Sequence, residues 1–493
     1  MMQRKIAVNI AVFLTALSAM LILFTNVYAK DNISVYVNDA KVAFDTDPII
    51  ENSRTLVPMR AVFEALGADV SWDQATYTAT AVKDDTTIVI AIGSDIMEVN
   101  DRDEALDVPA ALEDDRTLVP LRAVSQALGY EVVWDDALKT AFIGSHNYLD
   151  ELNSKISSMT LGEKIYQMMF TTPEAITGYS RVTAAGEVTR TALETYPVGG
   201  LIYFSQNIES ESQVKTMLAN TKTYAKTPLF LGVDEEGGRV ARLGNAGIGF
   251  PQFPAMSAIG AAGDLNAAYE LGTNLGSALR NYGFNLDFAP DADVLVSADN
   301  AIGDRSFGSD PTLVSNMAVS VANGLQDSGV SATVKHFPGH GGTSGDTHDG
   351  FVMTSRNYEE MYSSEFKPFE AAAENGVDFT MVAHVAAPSI TGSDLPSTMS
   401  GRMVGILRYD LGFNGVIITD ALNMGAIANN YTTGSACVSA VQAGVDMLLM
   451  PVSLDEAYSS IANAVSDGTI SEDRIDQSVK RILNAKMRRG LFG

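Results

Sequence analysis

The sequence predicts an α/β protein, a (β/α)8 TIM-type barrel preceded by a small duplicated α+β domain, and three observations carry that expectation. Residues 51–73 (ENSRTLVPMRAVFEALGADVSWD) return as residues 113–135 (EDDRTLVPLRAVSQALGYEVVWD) with 15 of 23 positions identical, which marks a duplicated unit. From Leu149 onward, eight short apolar runs alternate with helix-period segments over about 340 residues, as buried parallel strands linked by helices do. The polar residues of that part follow directly on apolar runs, where barrel strand ends converge.

At the N-terminus, Arg4 and Lys5 precede an apolar run from Ile6 to Phe24, and Val27-Tyr28-Ala29 precedes Lys30. This is the layout of a signal peptide over residues 1–29, cleaved after Ala29. The run is also near the roughly 20 residues that span a bilayer, so an uncleaved membrane anchor is the competing reading. Either way the rest of the chain is expected outside a bacterial cell, secreted or at its surface. Acylation as a lipoprotein is excluded, because the one cysteine, Cys437, is far from the run.

Residues 30–148 form the duplicated unit. Pro58 and Pro120 stand where a helix can begin, Met59, Val62, Phe63 and Leu66 (Leu121, Val124 and Leu128 in the second copy) follow a helical period, and Gly67 and Gly129 end it. Strands are expected next, such as 77–82 and 87–92. Both tryptophans of the chain, Trp72 and Trp134, fall at matched positions. Matched aromatics are what a duplicated core contains, so packing is the expected role and a sugar-stacking platform the alternative. The RTLVPLRAV…ALG…VxWD stretch resembles the copper amine oxidase N-terminal-like domain. Residues 30–145 nevertheless contain no His and no Cys, so no copper is expected there. They hold 22 acidic and 9 basic side chains, which disfavours electrostatic attachment to anionic polymers, and a non-catalytic stalk or cell-wall attachment module is expected.

The barrel is expected over residues 149–493. Thr160-Leu161-Gly162-Glu163 is a capping box opening its first helix. Strands are expected at 200–204, 229–233, 285–288, 332–335, 379–383, 416–419 and 447–450, with 167–170 a weaker eighth. Ser471 caps the last helix, and Lys486, Arg488 and Arg489 close it against its dipole. The whole chain carries 60 acidic against 33 basic residues, a formal charge of −27, so nucleic acid is excluded as a partner. No P-loop lysine follows its Gly-rich stretches, and no cofactor is expected.

Asp234 and Glu235 follow one expected strand, Asp287 lies in another, Lys335 and His336 follow a third, His384 a fourth and Asp420 a fifth. Residues 335–350, KHFPGHGGTSGDTHDG, hold three of the five histidines. A zinc site from His336, His340 and His348 is disfavoured, since neither helical ligand spacing nor a matching Cys accompanies them, and no metal is expected.

This loop, with GVDEEGGRVARL (232–243), GDRSFGSD (303–310), TMVAHV (380–385) and VIITDALNMGAI (416–427), resembles the glycoside hydrolase family 3 barrel and, within it, the β-N-acetylglucosaminidase branch. The resemblance implies that Asp420 is the nucleophile, that His348 with Asp346 serves as acid/base, and that Asp234, Arg242, Arg305, Lys335 and His336 contact sugar hydroxyls. Gly342 departs from the Asp or Asn usual there. An imidazole with an ordinary pKa near 6.5 suits both proton donation and acceptance at neutrality. The expected activity is thus retaining exo-hydrolysis of terminal β-linked N-acetylglucosamine, with N-acetylglucosaminides and muropeptides as substrates. Alternatives are phosphorolysis or β-glucosidase activity on the same barrel, substrate-assisted catalysis through Asp234 and Glu235, and a non-catalytic wall-binding protein.

Overall fold

The computed structural model describes residues 33–492 except 53, 114–115, 298–299, 344–349 and 351. The apolar run and Ala29 lie outside the described residues, and so do Asp346 and His348. Among the described residues no helix is long and apolar enough to cross a membrane.

The preceding domain, expected as α+β, is β-rich with two short helices. In each copy a strand, Arg54–Pro58 or Arg116–Pro120, runs into a helix, Met59–Ala65 or Leu121–Ala127. Gly67 and Gly129, both at φ 81°, turn the chain out of those helices, a conformation costly for any residue with a Cβ. The two Arg-Thr-Leu-Val-Pro strands pair antiparallel, Leu56 with Pro120, Val57 with Val119 and Pro58 with Leu118. Each copy thereby contacts the other through the same residues, and a pseudo-twofold axis passes between Val57 and Val119. Two ion pairs obey that axis, Arg54–Asp107 and Arg116–Asp45. The duplication extends beyond the stretch readable in sequence. Strands Ser34–Val37 and Ile96–Val99 each end in an Asn-Asp turn with positive φ at both residues (49° and 65°; 49° and 60°), the geometry that reverses a tight hairpin. Tyr77, at φ 53°, ends the turn before Thr78, so the strands expected at 77–82 and 87–92 run instead over Thr78–Lys83 and Thr86–Ala91.

Beyond the helix Asn147–Ser157, the capping box forms as expected: the Thr160 hydroxyl accepts from Glu163 N, and the Glu163 carboxylate accepts from Thr160 N. Eight strands follow: β1 Met169–Thr171, β2 Gly200–Tyr203, β3 Phe230–Val233, β4 Leu286–Asp287, β5 Ser331–Phe337, β6 Phe379–Val382, β7 Val416–Thr419 and β8 Leu448–Leu449. All are parallel to their neighbours, in the order β7-β6-β5-β4-β3-β2-β1-β8. The barrel is nearly closed, the edge strands β7 and β8 meeting at a parallel bridge between Ile418 and Met447. Inside, the rings of Phe170 and Phe288 pack edge to face at 5.2 Å. Gly200 and Gly232 make room for them, since a Cβ at either position would strike the Phe170 ring.

The N-terminal floor of the barrel is tied by buried carboxylates. Asp378, just before β6, pairs with Arg488 and Arg489, and Asp446, before β8, pairs with Arg408 and Arg481. The final helix, Glu472–Arg488, is capped by Ser471 as expected, but its closing cations do not serve the dipole from solvent. Lys486 is buried, donates to the Gln167 side chain at 2.7 Å, and has its pKa pushed down to about 7 by that burial. The duplicated domain rests on this same end. Lys480 pairs with Asp135 at 2.6 Å, Tyr148 donates to Asn484 at 2.8 Å, and Tyr36 and Lys41 share a cavity with Gly376, Asp378, Gly415 and Arg488.

Candidate active site

At the opposite end of the barrel, the C-terminal strand ends carry Asp234, Lys335, His336 and Asp420 of the residues singled out by sequence, and Asp346 and His348 lie outside the described residues. A hairpin, Glu235–Gly237 with Val240–Ala241, leaves β3 and returns Arg242 to Asp234, whose carboxylate accepts from Arg242 at 3.2 Å and from Lys335 at 3.0 Å. Burial disfavours the Asp234 charge, but Lys335 and Arg242 outweigh it and hold the carboxyl below its usual range. Lys335, in β5 and 3% exposed, also meets Glu236 at 2.6 Å. Arg305 grips Glu236 with two hydrogen bonds of 2.8 Å, the planar fork that guanidinium and carboxylate form. The network therefore runs Arg242–Asp234–Lys335–Glu236–Arg305.

His336 continues it. The Arg305 guanidinium, which can only donate, lies 3.1 Å from His336 Nε2, so Nε2 accepts and the proton sits on Nδ1, which donates to Asp293 at 2.7 Å. Burial lowers the His336 pKa against the opposing pull of Asp293, and the neutral Nδ1–H form results. Asp293 also accepts from His340 N. Asp291, Asp293 and His336 are the group among the described residues whose ligand atoms lie close enough to hold a metal ion. Arg305, 3.7 Å from Asp291 and hydrogen-bonded to His336, puts a fixed cation at that position.

Asp420 follows β7. Its amide donates to Val382 O at 2.8 Å, and its Oδ1 accepts from Ala421 N at 2.8 Å, which orients the half-buried carboxylate at the mouth. His384, after β6 and fully buried, bonds to Ala421 O through Nε2 at 3.0 Å and to the Thr398 hydroxyl through Nδ1 at 3.0 Å. Nε2 must donate to that carbonyl, so His384 positions the segment that carries Asp420.

Glu235 is not available to a substrate. Its two oxygens accept from Leu243 N at 2.7 Å and Gly244 N at 2.9 Å, and burial raises its pKa to about 7. A substrate-assisted mechanism would need this residue at the sugar, and its side chain instead secures the loop beyond Arg242. Because the folded pKa lies above the unfolded one, Glu235 favours folding most in acid and loses that advantage as pH rises through about 7. Relative to Glu235→Gln, wild-type stability should therefore increase from pH 8 to pH 5, by up to about 3 kcal/mol. Urea unfolding at four pH values measures this, and a pH-independent difference would contradict it.

Sequence reasoning missed three carboxylates of the network, Glu236 as the anchor of Arg305, and Asp291 and Asp293 beneath His336. The available signal was Asp291-Ala-Asp293 directly after β4. The departure at Gly342 also has a local cause: a Cβ there would stand 3.0 Å from Glu365 Oε1, so an acidic residue would face a buried carboxylate.

The family model for the glycosyl hydrolase family 3 N terminal domain matches residues 160–485, and that for the copper amine oxidase N-terminal domain matches residues 36–143. Residues 30–145 offer no His or Cys, so they do not fit a copper ion, and no chemistry is routed through one. A protein named beta-hexosaminidase from Nitrosomonas eutropha is 34% identical over 310 residues, covering 60% of this chain and 88% of that one. A beta-hexosaminidase from Mycobacterium tuberculosis is 35% identical over 274 residues, covering 52% and 68%. The solved structure of a glycoside hydrolase family 3 beta-N-acetylglucosaminidase from Paenibacillus superposes with a TM-score of 0.64 at 37% identity, covering 68% of this chain and 64% of that chain.

Proposed function

This chain belongs to glycosyl hydrolase family 3 and is a glycoside hydrolase, and we propose that it is a retaining exo-β-N-acetylglucosaminidase. The observation that carries this reading is the ionised Asp234–Lys335–Glu236–Arg305 network at the barrel mouth that also holds Asp420. Asp234 and the cations around it offer acceptors and donors in fixed positions, which suits a ring of sugar hydroxyls. In the proposed reaction Asp420 attacks the anomeric carbon and forms a glycosyl ester while His348 protonates the leaving oxygen. Water then attacks the ester as His348 takes its proton, and Asp346 orients the imidazole and stabilises its charged form. Muropeptide fragments bearing a terminal N-acetylglucosamine are the proposed natural substrates.

Nitrophenyl β-N-acetylglucosaminide and β-glucoside, compared with and without phosphate, test the specificity. A site that hydrogen-bonds the acetamido group should prefer the first by about 10²-fold or more in kcat/KM, with no rate gain from phosphate. Equal rates, or a glycosyl phosphate product, would overturn it. Export with loss of residues 1–29 belongs to the same proposal, and N-terminal sequencing of protein from culture medium should begin at Lys30. Full-length chain held in the membrane fraction would instead establish the anchor.

A further inference from the structure

The pseudo-twofold axis of the duplicated domain generates two concave grooves whose linings exchange between copies. In the first, of about 650 Å³, Arg60, Val70 and Trp72 of the first copy face Leu112 and Thr117 of the second. In the other, of about 320 Å³, Arg122, Val132 and Trp134 of the second copy face Ile50 and Thr55 of the first. Every residue lining the second groove has its mate, at an offset of 62, lining the first, whereas Asp45, Ser71 and Arg116 line the first alone, so a related cavity has been built twice in two sizes. Both volumes are those of small-ligand sites.

The tryptophans do more than pack. Each indole is half-buried, with one side against the domain core and the remainder lining its groove. Each has a polar side chain two positions on. Trp72 Nε1 donates to Gln74 at 3.0 Å, and beside Trp134 stands Asp136, whose carboxylate Lys139 and then Trp134 hold below its usual range. An indole fixed in this way presents a rigid apolar surface beside a guanidinium donor. That pairing suits a pyranose ring, with C–H groups on its face and hydroxyls at its edge. The net negative charge of the domain argues against an anionic polymer.

We propose that the two grooves are paired docking sites for a neutral, hydroxyl-rich glycan, one strand in each. Two strands engaged in this way would be related by the same pseudo-twofold axis. Because the domain rests on the floor of the barrel, docking leaves the opposite mouth free. The proposal does not depend on the roles assigned to Asp420 or His348.

Trp72 and Trp134 are the only tryptophans of the chain, so intrinsic fluorescence reports on these grooves and not on the barrel mouth. Chitohexaose titrated into the full chain carrying Asp420→Asn, with the sugar confirmed intact by chromatography at the end, should shift the emission. Trp72→Ala should leave only the Trp134 response, and Trp134→Ala only that of Trp72. Arg60→Ala and Arg122→Ala remove exposed side chains without disturbing packing, and each should weaken its own groove about threefold to tenfold. Absence of any emission change at millimolar chitohexaose would overturn the proposal, as would a response indifferent to both arginine variants. A change that tracks protein concentration without sugar would assign the grooves to a second copy and overturn it equally.

Discussion

Asp420→Asn is expected to lower kcat on nitrophenyl β-N-acetylglucosaminide by about 10⁴-fold or more, because an amide cannot supply the nucleophilic carboxylate on which both steps depend. The substitution should leave the fold intact. Asn keeps a carbonyl oxygen for the Ala421 amide, and the backbone bond to Val382 does not involve the side chain. Unchanged thermal unfolding with lost turnover would therefore assign the loss to chemistry. A variant with wild-type kcat would remove Asp420 from the reaction.

Lys335→Met should fail differently, losing stability and activity together. The Lys335 ammonium is buried between Asp234 and Glu236, and burial alone would discharge it. The two carboxylates reverse that effect and raise its pKa. Removing it leaves the buried Glu236 and the half-buried Asp234 with half their compensation, a change that costs about 3–5 kcal/mol. In the wild type, Asp234 and Glu236 have folded pKa values below their unfolded ones, so their contribution is present above about pH 4 and is lost as pH falls further. In the variant both carboxyls shift up, so acidification from pH 7 to 5 relieves part of the penalty and the stability gap should narrow. Guanidinium unfolding at both pH values measures it. Because Asp234 then ionises poorly and turns away from its fixed position, kcat/KM should fall by about 10²-fold or more. A stable variant with wild-type kcat/KM would make Lys335 a bystander.

The eight strands were legible because a strand buried on both faces reads as an unbroken apolar run, and the residue that ends such a run at the mouth is polar by necessity. Asp234 and Asp420 stood out for that reason. Asp291 and Asp293 did not, since the chain after β4 has no regular period and their partner, His336, arrives from a different strand. Lys486 was misjudged by the reverse logic. A cation in the last turn of a helix ordinarily serves the dipole from solvent, and only the tertiary fold turns this one inward to Gln167. Within the duplicated domain, 51–73 betrayed the repeat, while the strands at 34–41 and 96–105 have diverged and keep chiefly the Asn-Asp turn that their hairpins require.

The most direct test of the central reading is to trap the glycosyl ester. A 5-fluoro N-acetylglucosaminyl fluoride slows hydrolysis of the intermediate more than its formation, and mass-spectrometric peptide mapping then locates the sugar. One N-acetylglucosaminyl adduct is expected, on the peptide that contains Asp420. An adduct on the segment that contains Asp234, or no adduct from an enzyme whose first product has inverted configuration, would contradict it.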